Sequence, residues 1–168
     1  MGKFFTTAAL ALCFTLPSTL YASSSELVSD DAASWQRLES NFKFYAESED
    51  SKFWALFQQV DDSDVFSFVT TEKSISCELM PEFTGNNIIH INNQRIKFTT
   101  SCLESASKIY EPTTLKGNEA LKRTFLANDK VEVIILDEED QVLEALLFTT
   151  KGFSKAHDVV IQAAVEPI

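Results

Sequence analysis

Apolar and polar residues alternate along much of this chain, and a period of two puts every second side chain on one face of a strand. The alternation is sharpest in Ile88-Ile89-His90-Ile91 and Arg95-Ile96-Lys97-Phe98, which flank Asn92-Asn93. Asparagine tolerates the positive φ that a two-residue hairpin turn demands. Pairing outward from that turn sets Ile91 opposite Gln94, His90 opposite Arg95, Ile89 opposite Ile96 and Ile88 opposite Lys97, so that apolar and polar residues separate by face. Two further hairpins follow from β-prone runs joined by acidic quartets. Residues 54–60 and 65–71 flank Asp61-Asp62-Ser63-Asp64, and residues 130–136 and 141–150 flank Asp137-Glu138-Glu139-Asp140. The last pair is mostly apolar on both faces, which predicts a central place in the sheet. Ser74-Ile75-Ser76-Cys77-Glu78-Leu79 alternates as well and reads as a strand whose Ile75, Cys77 and Leu79 point together.

Helical spacing is rarer. Asn118 suits the N-cap of a helix from Glu119 to Ala127 that turns Leu121, Phe125 and Leu126 inward, after a loop at residues 110–114. Ser154 likewise suits the cap of a helix from Lys155 to Ala164, with Val159, Val160 and Ala163 on the sheet and Gly152 separating strand from helix. Residues 23–51 form a polar N-terminal segment that begins as a tether. Within it Trp35, Leu38 and Phe42 fit a short helix, while Phe42, Phe44 and Ala46 fit a strand equally well. The fold class is α+β and mainly β: an antiparallel sheet or sandwich of hairpins with two short helices and one disulfide. With 168 residues and 45% hydrophobic composition, the chain has enough material for one such domain, placed at residues 52–168.

The N-terminus bears on location. Lys3 precedes an apolar run from Phe4 to Leu16, and Tyr21-Ala22 leads into Ser23-Ser24-Ser25, the layout of a signal peptide spanning residues 1–22. Leu12, a large residue, precedes Cys13 and argues against lipidation there. The mature chain is then expected to be periplasmic or secreted, with Cys77 and Cys102 as its only cysteines. An oxidising compartment pairs them, and both fall on apolar faces, so a disulfide in the core is expected. No other run approaches the ~20 apolar residues of a membrane span.

Charge narrows the partners. The formal net charge is −11, and loss of Lys3 with the leader takes it to −12. So acidic a surface repels phosphate backbones and anionic lipid headgroups, which disfavours nucleic acid and membrane surfaces and leaves room for a basic protein partner, while the same charge also serves simply to keep a secreted chain in solution. The acidic turns, with Asp61, Asp62 and Asp64 in one and Asp137, Glu138, Glu139 and Asp140 in the other, are candidate partner-facing surfaces. Simple solvation explains them equally well.

Candidate chemistry is sparse. Of two histidines, His90 shares a hairpin face with Arg95 and Lys97, and His157 precedes Asp158 in a helix, where adjacent residues do not face each other. The acidic turns lack the alternating spacing of a calcium loop, and Cys77, His90 and Cys102 do not share a face. With four glycines there is neither a phosphate loop nor a nucleophile elbow. No catalytic residue, cofactor or metal is therefore assigned.

The run Ile91–Phe98 leading to Cys102, a helix at 121–127, a strand at 130–135 and above all Lys151-Gly152-Phe153-Ser154-Lys155-Ala156 resemble the C-terminal half of the invasion-associated locus B proteins. That resemblance covers about the last 80 residues. It implies a small exported bacterial β-rich protein linked to host-cell invasion or stress, with no site residues to carry over. Two readings follow: a non-enzymatic protein that binds a protein partner, as an envelope accessory or a neutraliser of a basic effector, or a small envelope hydrolase whose site the sequence does not display.

Overall fold

The computed structural model describes residues 34–38, 42–61, 63–137 and 139–165. The expected signal peptide, the start of the polar segment, Asp62 and Glu138 lie outside the described residues. In chain order the elements are β1 (Gln36–Arg37), β2 (Lys43–Glu47), β3 (Phe53–Val60), β4 (Ser63–Thr70), α1 (Ile75–Leu79), β5 (Thr84–Ile91), β6 (Gln94–Cys102), β7 (Lys108–Pro112), α2 (Leu115–Ala127), β8 (Lys130–Leu136), β9 (Val142–Thr149) and α3 (Phe153–Val165). The strands make one antiparallel sheet in the order β1-β2-β3-β4-β7-β6-β5-β8-β9.

Alternation decides which face is buried. Phe44 and Ala46, Phe53, Ala55 and Phe57, Phe66 and Phe68, Ile89 and Ile91, Ile96 and Phe98, Val131, Val133 and Ile135, and Leu146 and Phe148 all join one core. Leu121 and Phe125 of α2 and Phe153, Ala156 and Val160 of α3 pack into the same core, so both long helices cover the same face of the sheet. Its centre is aromatic: Phe66 lies 4.6 Å from Phe125, and Phe153 lies 5.4 Å from Phe57. The sheet curls until its ends meet. Ser48, just after β2, bridges Phe148 of β9, and the Trp35 N–H donates to the Lys151 C=O at 3.1 Å. Fully buried Trp35 stands against Phe66, Phe125 and Phe153, with its indole N–H donating to the Thr149 C=O. The segment read as polar thus contributes two strands, β1 and β2, and two core aromatics, Trp35 and Phe44.

The three expected hairpins form. The central one has the register derived above, and Asn92 and Asn93 take φ of 45° and 66°. The first closes more tightly than its acidic quartet implied: Val60 pairs with Ser63, so Ser63 and Asp64 belong to β4. The third is not central. β9 ends the sheet, and its Val142 and Leu143 are exposed; among the described residues no layer covers the second apolar face. Of the two alternatives, the strand holds for Phe44 and Ala46, buried in β2, whereas Phe42 precedes the strand and is exposed.

Of the run Ser74 to Leu79 read as a strand, Ile75–Leu79 is a helix. β4, the strand just before them, already pairs with β3 and β7, so these residues find no free edge beside it and close their backbone bonds locally, the Ser74 C=O accepting from the Cys77 and Glu78 N–H groups. A third helix therefore joins the two expected. α2 begins four residues before Glu119, capped by the Thr114 hydroxyl, which accepts from the Gly117 N–H. Asn118 is inside the helix and buried, and Leu126 is exposed. The stretch read as a loop at 110–114 carries the end of β7. α3 starts at Phe153, directly after Gly152, whose φ of 84° suits a residue without Cβ.

Candidate functional site

Cys77 and Cys102 form a disulfide, with Cα atoms 5.5 Å apart. Cys77 is buried on the inner side of α1, while Cys102 ends β6 half-buried, so the bond pins a short helix to the sheet at the margin of the core. Ile75 and Leu79, four residues apart, share the side of α1 away from Cys77 and are 74% and 76% exposed.

The acidic residues divide by role. Asp61 is exposed in its turn. Asp64 instead pairs with Lys122 of α2, which also contacts Glu119. Burial works against the charge on Lys122, but the bonds from Asp64 and Glu119 prevail and raise its pKa. Beside this pair Asn118 donates to the Asp64 C=O and accepts from the Phe66 N–H, fixing α2 on β4. In the β8–β9 turn Asp137 accepts from the Glu139 and Gln141 N–H groups through Oδ1, which shapes the turn, and Glu139 and Asp140 stand in solvent.

The histidines are apart from these groups. His90 pairs with Arg95 across the hairpin, half-buried, with its Nε2 enclosed and without a hydrogen-bond partner among the described residues. His157 stacks on Phe57 at 5.8 Å and 10°, and its Nδ1 is 3.6 Å from the Asp158 carboxylate, beyond a hydrogen bond. A groove of about 510 Å³ between the end of α2 and the start of α3 is lined by Asn128, Asp129, Thr150 and Ser154 among others. Much of its polarity is already used: the Thr150 hydroxyl donates to the Asn128 C=O, and the Asn128 amide donates to the Thr124 C=O. Among the described residues no three His, Cys, Asp or Glu side chains converge on a metal-sized site.

What remains is surface. Besides Ile75 and Leu79, Met80 is exposed beside α1, and Val142 and Leu143 of β9 are 62% and 57% exposed. Sequence reasoning missed both features because Ile75, Leu79, Val142 and Leu143 sit in apolar runs that alternation assigns to a buried face. The signal available was composition: β9 contains Glu144 as its single charge. Comparison with protein-family models, with curated proteins and with solved structures finds no match for this chain.

Proposed function

We propose that this chain is an exported, non-enzymatic protein, periplasmic or secreted, that acts by binding a protein partner as an envelope accessory or as a neutraliser of a basic effector. The carrying observation is apolar surface held on ordered elements: Ile75 and Leu79 on a disulfide-pinned helix, and Val142 and Leu143 on a sheet strand. Single exposed apolar residues are ordinary, whereas grouped ones on fixed backbone provide the anchors that interfaces use. Export is supported by the leader pattern before Ser23 and by a disulfide of the kind oxidising compartments maintain. The resemblance to invasion-associated locus B proteins supports the same bacterial setting. A net charge of −11 favours a basic partner.

An affinity pull-down from native envelope extract with the mature protein as bait tests the reading. The expected result is a stoichiometric protein partner released by salt. No retained protein at low ionic strength, or a hydrolytic turnover that His90→Ala or His157→Ala abolishes in a folded protein, overturns it.

A further inference from the structure

The two ends of the sheet are finished differently. β1 is two residues long, too short to template another strand. β9 runs for eight residues and pairs as a ladder with β8 alone. Its opposite edge is met near its end, where Ser48 bridges Phe148 and the Glu49 N–H donates to the Leu147 C=O at 2.9 Å. The chain then turns away into β3, and from Val142 to Leu146 that edge has no main-chain partner among the described residues. Backbone direction alternates along a strand, so the Ala145 N–H and C=O look off the sheet on the same side as the Leu147 C=O.

Proteins usually blunt such an edge with Pro, Lys or brevity. β9 reads Val-Leu-Glu-Ala-Leu-Leu-Phe-Thr, without Pro or Lys, and its one carboxylate, Glu144, is tied to Lys52 at 3.1 Å. A register shift at Ile135/Leu136 twists the start of the ladder, yet pairing from Glu144 onward is regular. Val142, Leu143 and Ala145 are exposed along this edge, and the turn leading into it carries Asp137, Glu139 and Asp140.

We propose that the Val142–Leu146 edge of β9 takes up an extended, lysine- or arginine-bearing segment of a partner protein as an added strand. Main-chain hydrogen bonds supply affinity, Val142 and Leu143 supply apolar contact, and the acidic turn selects basic flanks. Charge decides the occupant: a second copy of this chain brings a formal charge of −11 and its own acidic turn against the same surface. The proposal rests on the protein-binding reading and adds the place and mode.

The test uses isotope-labelled protein with two synthetic probes, Lys-Lys-Val-Thr-Val-Thr-Val-Lys-Lys and the same strand flanked by glutamates. The lysine peptide is expected to shift the resonances of Val142–Leu146 and to protect the Ala145 amide from exchange by about tenfold or more, one good hydrogen bond's worth. The glutamate peptide binds more weakly. Ala145→Pro removes the outward N–H and spares the ladder to β8, and is expected to weaken binding by about tenfold with the β5–β6 resonances unchanged. Leu143→Lys leaves the backbone alone and weakens binding by repulsion, which keeps the test decisive if the proline variant does not fold. Binding of the lysine peptide at wild-type affinity to both variants, shifts confined to α1, or no response to the lysine peptide overturns the edge proposal. A dimer that Ala145→Pro dissolves overturns the basic occupant. A partner captured from envelope extract equally by wild type and both variants sinks the edge and spares the binding reading, whereas an empty pull-down sinks the reading itself.

Discussion

Asn118 joins a helix to a sheet with one side chain, its Oδ1 accepting from the Phe66 N–H at 2.9 Å and its Nδ2 donating to the Asp64 C=O at 2.7 Å. Asn118→Ala leaves a donor and an acceptor of β4 unpaired, each costing about 1–3 kcal/mol when buried. Chemical denaturation is expected to show a loss of roughly 2–4 kcal/mol with an unchanged m-value. Nothing in the sequence around Asn118 distinguishes this latch from a helix cap, because both uses suit a short polar side chain at the edge of an apolar pattern. Tyr110 and Lys122 both bear on stability at alkaline pH. Burial, then the Glu144 carboxylate, push the Tyr110 phenol up to about 12, whereas an unfolded tyrosine ionises near ~10. The unfolded state therefore releases its proton first, and stability is full below ~10 and falls as pH rises toward the folded value. Lys122, raised by its two carboxylate partners against burial, loses its contribution in the same direction. Thermal melts from pH ~9 to ~12 are expected to decline less steeply in Tyr110→Phe than in the wild type, and the phenolate absorbance of Tyr110 should appear last.

At the scale of elements, alternation was sufficient wherever a turn residue fixed the register. Asn92-Asn93 set the central hairpin's register from Ile91–Gln94 to Ile88–Lys97, and the ladder carries it on to Thr84–Ser101, because a one-residue slip sends Ile89 and Ile96 to the solvent face. The same alternation misread α1. Whether Ile75, Cys77 and Leu79 form a strand depends on a free sheet edge beside them, a property of strand order that local sequence does not carry. β9 failed for the complementary reason: two apolar faces imply two covering layers only if the fold supplies both, and here both helices lie on one side. The disulfide was legible because a chain that loses a leader as its sequence suggests keeps only two cysteines, which then have only each other, although their setting at the rim of the core was not. Closing the 25-residue separation between Cys77 and Cys102 stabilises by roughly 3.5 kcal/mol on the chain-entropy model. Reduction is expected to lower the melting temperature by about 7 °C or more, measured by calorimetry with and without reductant.

Across the whole molecule, charge and connectivity set behaviour. Asp61, Glu139 and Asp140 are exposed, and converting them to Asn, Gln and Asn is expected to slow association with a basic partner while leaving the melting temperature within a degree or two. Stopped-flow rates at rising ionic strength measure it, and the difference should fade as the screening length shortens toward ~8 Å. Asp64 is excluded from that set, since neutralising it strips Lys122 of a partner. The seam between the sheet ends has a further consequence for synthesis. The Trp35 indole bonds to a carbonyl 114 positions later, and its ring packs on Phe153 of the last helix. Synthesis runs from the N-terminus, so Trp35 meets Phe66 early, Phe125 late and Phe153 among the last, and its indole N–H has its native acceptor only once Thr149 has followed it out. A nascent chain stalled before α3 lacks Phe153 against the Trp35 ring and is expected to be cut by protease faster than the full-length protein.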